Sequence, residues 1–222
     1  MGKRGTKPQG KVKIKWSPNF AYAIGLLATD GCVVDDGLHI DFTSKDLEQI
    51  NNFQKCLNLK VKIGRKSSMA SSEKKYFRVQ FGDVLFRQFL REIGINPAKS
   101  KTLEFVLVPK KYFFDFLRGA FDGDGHFYSY WDPRWKSSFM YYLVFNSASR
   151  AHIDWLREEI FRKLKVRGHI TKTAIKICYQ LKYAKTEALK IIKRLYSKKD
   201  SVYLSRKKLK IEKALGIVGQ AI

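Results

Sequence analysis

Ala23-Ile24-Gly25-Leu26-Leu27-Ala28-Thr29-Asp30-Gly31 and Leu117-Arg118-Gly119-Ala120-Phe121-Asp122-Gly123-Asp124-Gly125 align without a gap. The shared frame is a glycine, then Asp-Gly five and six residues further on. Each copy reads as a short apolar helix that stops at a glycine, where the chain can turn out of the helix. A repeat of this kind sets the unit from which the whole chain is built, so it is read before any single element.

The stretches downstream of the two copies also match. After Gly31, residues 32–35 and 38–43 read as a hairpin around Asp36-Gly37, with Leu38, Ile40 and Phe42 on one face. A helix over 45–57, a second hairpin over 60–81 and a helix over 84–93 come next. After Gly125, strands over 126–132 and 139–146 precede a helix over 151–164. A hairpin from 166–173 and 174–181 is next, then helices over 186–195 and 205–215. The expected fold class is α+β: two pseudo-symmetric αββαββα half-units, each with an antiparallel four-stranded sheet. The division is a basic tail over 1–18, an N-terminal half over 19–95, a linker over 96–110 carrying Pro97 and Pro109, and a C-terminal half over 111–222. In the outer hairpins Phe77, Val79 and Phe81 alternate with Tyr76, Arg78 and Gln80, and Ile175, Ile177, Tyr179 and Leu181 with Lys176, Cys178 and Gln180. One face of each sheet is dry; the other is basic and aromatic.

Charge points to the partner. Lys and Arg total 44 against 20 Asp and Glu, a formal net charge of +24. Such an excess binds a polyanion by releasing its condensed counterions. Hydrophobic residues at 45% supply a packed core, which argues against disorder. No apolar run approaches the ~18 residues of a membrane span, and no membrane partner is expected. Met1-Gly2 to Thr6 fits a myristoylation pattern only formally, because that pattern is permissive. Cys32, Cys56 and Cys178 form no CxxC pair, no secretory signal is evident, and His39, His126, His152 and His169 lack zinc spacing. The expectation is reduced thiols in a cytoplasmic or other reducing compartment.

Asp30 and Asp124 hold equivalent places at the ends of the repeat helices. If those helices pack side by side, Gly25 and Gly119 let the backbones approach and both carboxylates arrive at one end. One Asp-Gly alone would mark only a helix stop; two in register form a site for Mg2+ (or Mn2+), which takes one or two carboxylates, water and phosphate oxygens. Asp122 has Ala28 as its counterpart, so it is read as a structural residue.

These two copies resemble the LAGLIDADG motifs of homing endonucleases, in the form that joins two half-units in one chain. The likeness runs from about residue 19 to residue 215. It departs from the family pattern at Ala28 and Thr29 while keeping Asp30. The resemblance implies a pair of saddle-shaped sheets over the DNA major groove, a monomer, and metal-dependent cutting of both strands of a long, nearly asymmetric site with short 3′ overhangs. It implies intron origin, with the intron RNA as a second candidate partner. Asp30 and Asp124 become the metal ligands. The family's basic residue at each centre maps to Lys101 and Lys207, each with a simple phosphate clamp as the alternative. Its water-organising polar positions map to Ser44 with Lys45 and Asn146 with Ser147.

Strand alternation then sets the expected DNA face. In the first half it holds Cys32, Val34, Asp36, His39, Asp41, Thr43, Lys62, Arg78 and Gln80. In the second it holds His126, Tyr128, Tyr130, Tyr142, Val144, Arg167, His169, Lys176 and Gln180. Arg suits guanine and Gln suits adenine. The segment from Trp131 to Lys136 has no equal in the first half and reads as an extended hairpin loop. The competing function class is an RNA maturase or a non-cleaving DNA-binding protein on the same scaffold; loss of the paired acids would favour it, and both are present.

Overall fold

The computed structural model describes residues 10–68, 71–173 and 178–222. Among them the first half runs α1 (Pro18–Thr29), β1 (Gly31–Val33), β2 (His39–Ser44), α2 (Leu47–Leu57), β3 (Gly64–Ser68), β4 (Ser71–Gly82) and α3 (Val84–Glu92). The second runs α4 (Phe113–Gly123), β5 (His126–Trp131), β6 (Phe139–Ser147), α5 (Arg150–Leu164), β7 (His169–Lys172), β8 (Tyr179–Ala184) and α6 (Lys185–Leu195), followed by α7 (Ser205–Ile217). The two antiparallel sheets have the same order, β1-β2-β4-β3 and β5-β6-β8-β7. The αββαββα unit therefore occurs twice, with α7 added to the second.

α1 starts at Ser17, whose Oγ accepts from Phe20 N at 3.1 Å, with Pro18 in the first turn where no N–H is needed. Phe20 through Ala28 are all buried. A helix apolar on every side has no solvent face and belongs in the centre, where α1 packs along α4. Glycine sets their separation: a Cβ on Gly25 would stand 2.1 Å from Phe116 O, and one on Gly119 2.0 Å from Tyr22 O.

Each sheet lays its apolar face on this core. Ile40, Phe42, Val79 and Phe81 come from the first sheet, and Leu143, Phe145, Leu181 and Tyr183 from the second. Phe42 stacks on Phe53 of α2 with ring centres 4.4 Å apart; truncating such a ring to alanine costs about 3–5 kcal/mol. α2 and α5 both end on a left-handed residue, Asn58 at φ 52 and Lys165 at φ 56, so the repeat extends to the helix caps.

Several details depart from the sequence reading or add to it. Leu38 is 40% exposed, because Asp36 Oδ1 accepts from Leu38 N and His39 N and turns the hairpin tip outward. The segment before α1 is packed from Lys11 onward: Lys11 N and Val12 N donate to Asp83 Oδ2, and Val12 is buried. The connection between the halves is also part of the core, since Leu103 and Val106 are buried and Leu107 N bonds Ile93 O. β7 begins three residues later than expected, after Gly168 at φ 60, and β8 runs on to Ala184. The loop from Asp132 to Ser138 closes on Asp132, whose Oδ1 accepts from Arg134 N, and leaves Trp135 exposed.

Candidate metal centre and nucleic-acid interface

Asp30 and Asp124 cap the C-termini of α1 and α4 in nearly the same conformation, φ −84, ψ −8 and φ −86, ψ −8. The glycine seam brings the two ends together. A Cβ on Gly123 would lie 3.3 Å from Asp30 Oδ2, so the Asp30 carboxylate rests against the residue that precedes Asp124. Burial, then the charge of Asp124, pushes Asp30 up to about 6; burial also raises Asp124, while Lys99 and Lys207 pull both down.

Neither carboxylate makes an ion pair among the described residues. Asp30 Oδ2 accepts from Gln49 Nε2 at 3.4 Å, and the Asp124 carboxylate has no hydrogen bond there. Two desolvated like charges short of partners are stabilised by a cation, and the donor set suits a hard divalent one. No group of three or more His, Cys, Asp or Glu is gathered for a metal among the described residues. Such an ion would draw the rest of its shell from water and substrate oxygens. A small cavity of about 110 Å³ opens beside Asp124, lined also by Thr29, Lys99 and Ser147 among others.

Two buried lysines flank the carboxylates. Lys99 Nζ donates to Thr29 O at 3.1 Å and Gly31 O at 2.5 Å. Lys207 Nζ lies 2.6–2.9 Å from the carbonyls of Phe121, Asp122, Gly123 and Gly125. Lys99 thus answers carbonyls at the end of α1 and Lys207 those at the end of α4, where the dipole favours positive charge. Burial lowers both lysines, Lys207 to about 8.

Lys101, expected at this centre, is exposed, and the lysine that reaches the end of α1 is Lys99. Residues 99–103 make a helical turn, Leu103 N to Lys99 O at 2.8 Å. Positions four apart share a face, so Lys99 turns inward with Leu103 while Lys101 is exposed.

The polar positions divide as well. Ser44 Oγ donates to Gln49 Oε1 at 2.6 Å, and Gln49 Nε2 donates to Asp122 O at 3.0 Å as well as to Asp30. Gln49, which sequence reasoning missed, is what links Ser44 to the centre. Its only signal was its place three residues beyond Asp46, the N-cap of α2, facing back toward the helix start. Lys45 is exposed and lies over the Tyr76 ring at 5.4 Å. In the second half Asn146 Nδ2 donates to Asp124 O at 2.6 Å, and Gln180 Nε2 to Asn146 Oδ1 at 3.2 Å. Ser147 Oγ accepts from Ser149 N, as Ser44 Oγ does from Asp46 N, so Ser147 matches Ser44 and Asn146 matches Thr43. His152, the counterpart of Gln49, is buried and turns instead to Glu104 O, 3.2 Å from Nδ1.

Strand register gathers most of the expected DNA face. Cys32 stands opposite Asp41 and Asp41 opposite Gln80, while Thr43 faces Arg78. Arg78 is held by Asp41 at 2.5 Å. In the second sheet Tyr128 faces Tyr142, Asn146 faces Gln180, and His126 faces Val144, which was expected on the open face but is fully buried. Tyr128, Tyr130 and Tyr142 stack on one another, with Tyr128 and Tyr142 5.0 Å apart, and His126 stacks on Tyr128. Lys182, opposite both Val144 and His169, belongs to the same row and was missed. Others sit differently. Val34 lies beyond the end of β1, and Lys62 is exposed before β3 begins. Asp36 and His39 bind each other at the hairpin tip. Arg167 precedes β7 and stacks its guanidinium on Phe161 of α5 at 4.2 Å, which turns it from the groove face toward the helices. Lys176 lies outside the described residues.

The sequence matches no family model and no curated protein. The fold has counterparts among solved structures. The meganuclease I-SmaMI bound to uncleaveable DNA superimposes with a TM-score of 0.60 at 12% identity over 91% of this chain and 92% of the other. The homing endonuclease I-WcaI bound to its DNA recognition sequence gives 0.59 at 13% identity, covering 90% and 88%. The chain has the LAGLIDADG fold. The N-terminal LAGLIDADG domain of DUF199/WhiA shares this fold too, with a TM-score of 0.53 at 16% identity over 81% and 82% of the two chains. Within the LAGLIDADG fold, α1 and α4 are the paired motif helices and the two sheets are the saddle.

Proposed function

We propose that this protein is a divalent-metal-dependent endonuclease that cuts both strands of a long, nearly asymmetric duplex DNA site and leaves 3′ overhangs. The observation that carries the reading is the pair of desolvated, under-partnered carboxylates, Asp30 and Asp124, at the joined ends of the motif helices. The DNA-bound state of the I-SmaMI and I-WcaI structures supports the partner.

Asp30 and Asp124 would hold Mg2+ or Mn2+. Such an ion supplies an activated water and neutralises charge on the phosphate under attack. Lys99 and Lys207 lock the helix-end carbonyls, which fixes both carboxylates, and place positive charge where the phosphorane's negative charge develops. Gln49 holds the Asp30 side, and Asn146 the Asp124 side, of the centre. Arg78, Gln80 and Gln180 address base edges, and the tyrosine row packs against thymine methyls and sugars. The +24 charge supplies the sequence-independent term. One chain carries both half-centres, so a monomer suffices. The free thiols fit a reducing, DNA-containing compartment, and among the described residues no helix is long and apolar enough to cross a membrane.

A second reading keeps the scaffold without the cutting, as a DNA-binding protein or an RNA maturase acting on its own intron. The likeness to DUF199/WhiA, whose name carries no nuclease, favours it. Incubating the protein with a randomised duplex library and Mg2+ separates the two. Recovery of one long site cut with 3′ overhangs supports the nuclease. Specific binding of duplex DNA or folded RNA with no cut ends supports the second reading.

A further inference from the structure

The two lysines of the centre are equivalent in place but not in how they are held. Lys99 sits in a turn closed by its own neighbours. Lys207 sits in the first turn of α7, a helix that begins badly on its own. Its N-cap is Leu204, which offers no side-chain acceptor, and Arg206, Lys207 and Lys208 put positive charge at the positive end of the helix dipole.

Asp122 of α4 takes the N–H of Leu204 itself at 2.8 Å, but the acceptor for the first N–H inside the helix, that of Ser205, comes from the other half of the molecule. Glu48, in the first turn of α2, accepts from Ser205 N at 3.1 Å and 3.2 Å through its two carboxylate oxygens and from Ser205 Oγ at 2.5 Å. Asp46, the α2 N-cap, takes the Arg206 guanidinium in a fork at 2.8–3.1 Å. Asn52 donates to Tyr203 O at 2.9 Å, one helical turn further on. Three side chains of α2 and its cap thus grip the segment that carries Lys207. The symmetry-related positions in α5 are Ser149 and Ala151, which have no carboxylate, so the grip runs one way only.

We propose that Glu48, seconded by Asp46, is a positioning residue through which the N-terminal half seats Lys207 over the end of α4. The C-terminal half-centre would then be complete only when the two halves are docked, whereas the Lys99 half-centre is independent of this contact. In the nuclease this makes the two strand cuts unequal in their dependence on Glu48. That consequence rests on the proposed function; the seating itself does not.

Two measurements keep the claims apart. The first needs no DNA: the side-chain ammonium signals of 15N-lysine-labelled protein, in which buried, hydrogen-bonded Lys99 and Lys207 exchange slowly enough to be seen. Glu48→Ala is expected to abolish or shift the Lys207 signal and to leave that of Lys99 in place, which also certifies the fold. Glu48→Gln, which keeps an oxygen for Ser205 without the charge, is expected to fall between. A Lys207 signal unchanged in Glu48→Ala overturns the proposal. The second uses a supercoiled plasmid carrying the selected site. Glu48→Ala is expected to slow one strand cut by roughly tenfold or more, the scale of losing a charge-assisted hydrogen bond, so that nicked circles accumulate. The slowed strand should be the one that Lys207→Met also slows. Equal slowing of both strands overturns the one-sided role. A wild-type protein that cuts nothing while its Lys207 signal answers to Glu48 removes the nuclease reading and leaves the seating intact.

Discussion

Gly119→Ala tests the helix seam on which the whole centre rests. The added Cβ would lie 2.0 Å from Tyr22 O and 3.1 Å from Leu26 N. Carbon-to-oxygen contacts settle at about 3.3–3.6 Å, so α1 and α4 must part by roughly an ångström. The obstacle is the main chain of a fully buried helix, which cannot rotate away as a side chain would. Overpacking costs about 1–3 kcal/mol when side chains absorb it, which places this case at about 3 kcal/mol or above. Replacing glycine by alanine in a helix returns about 1 kcal/mol, leaving a net loss of at least about 2 kcal/mol. For a chain of this size that is a fall in melting temperature of at least ~4–8 °C. The control is Gly216→Ala in α7, where a Cβ meets nothing within 4 Å and the same propensity gain raises stability by about 0.5–1 kcal/mol. Scanning calorimetry on the two variants reads opposite signs. A Gly119→Ala protein that melts at or above the wild-type temperature would refute the close-packed seam.

The same geometry sets other outcomes. Lys99→Met is expected to reduce cleavage by about tenfold or more, as for loss of a charge stabiliser, whereas Lys101→Met leaves the cutting rate within about twofold, since that side chain is exposed; single-turnover cleavage compares them. His152 is held down to about 4, first by burial. Between its unfolded value near 6.5 and about 4, the unfolded chain therefore takes up a proton that the folded one refuses. The stability His152 contributes is present above pH 6.5 and is lost as pH falls through that window, on the order of 3 kcal/mol. Urea unfolding at pH 7 and pH 4 should show that loss shrinking in His152→Gln, which carries the residue found at the equivalent place in the first half. Cys56 is buried and pushed up to about 12, while Cys32 is exposed; a thiol reagent at pH 8 should label Cys32 within minutes and Cys56 only after unfolding.

The repeat made much of this legible beforehand. Two Gly-to-Asp-Gly frames imply two glycine-seamed helices with their acids at one end, and the structure has that arrangement in α1 and α4. Alternation in residues 76–81 placed Arg78 and Gln80 on one face because a strand has only two. The hidden features depended on contacts far apart in sequence. Lys99 and Lys101 both lie in a lysine-rich stretch, and only the turn that buries Leu103 tells them apart. Gln49 looks like an ordinary helix-start residue until α2 is laid against the end of α4. Arg118, inside an apolar motif, is fully buried because Asp115 and the carbonyls of Leu195 and Val202 satisfy it, partners that no local pattern announces. Arg167 continues a strand pattern in sequence, but Phe161 captures it.

The central claim is that Asp30 and Asp124 together form one metal-dependent cutting centre. It is tested by single-turnover cleavage of the selected duplex by the wild-type protein and by Asp30→Asn and Asp124→Asn, across Mg2+ concentrations, with affinity measured in parallel. The account predicts that each substitution abolishes double-strand cleavage while the dissociation constant changes little. Both variants cutting at the wild-type rate with wild-type metal dependence would contradict it.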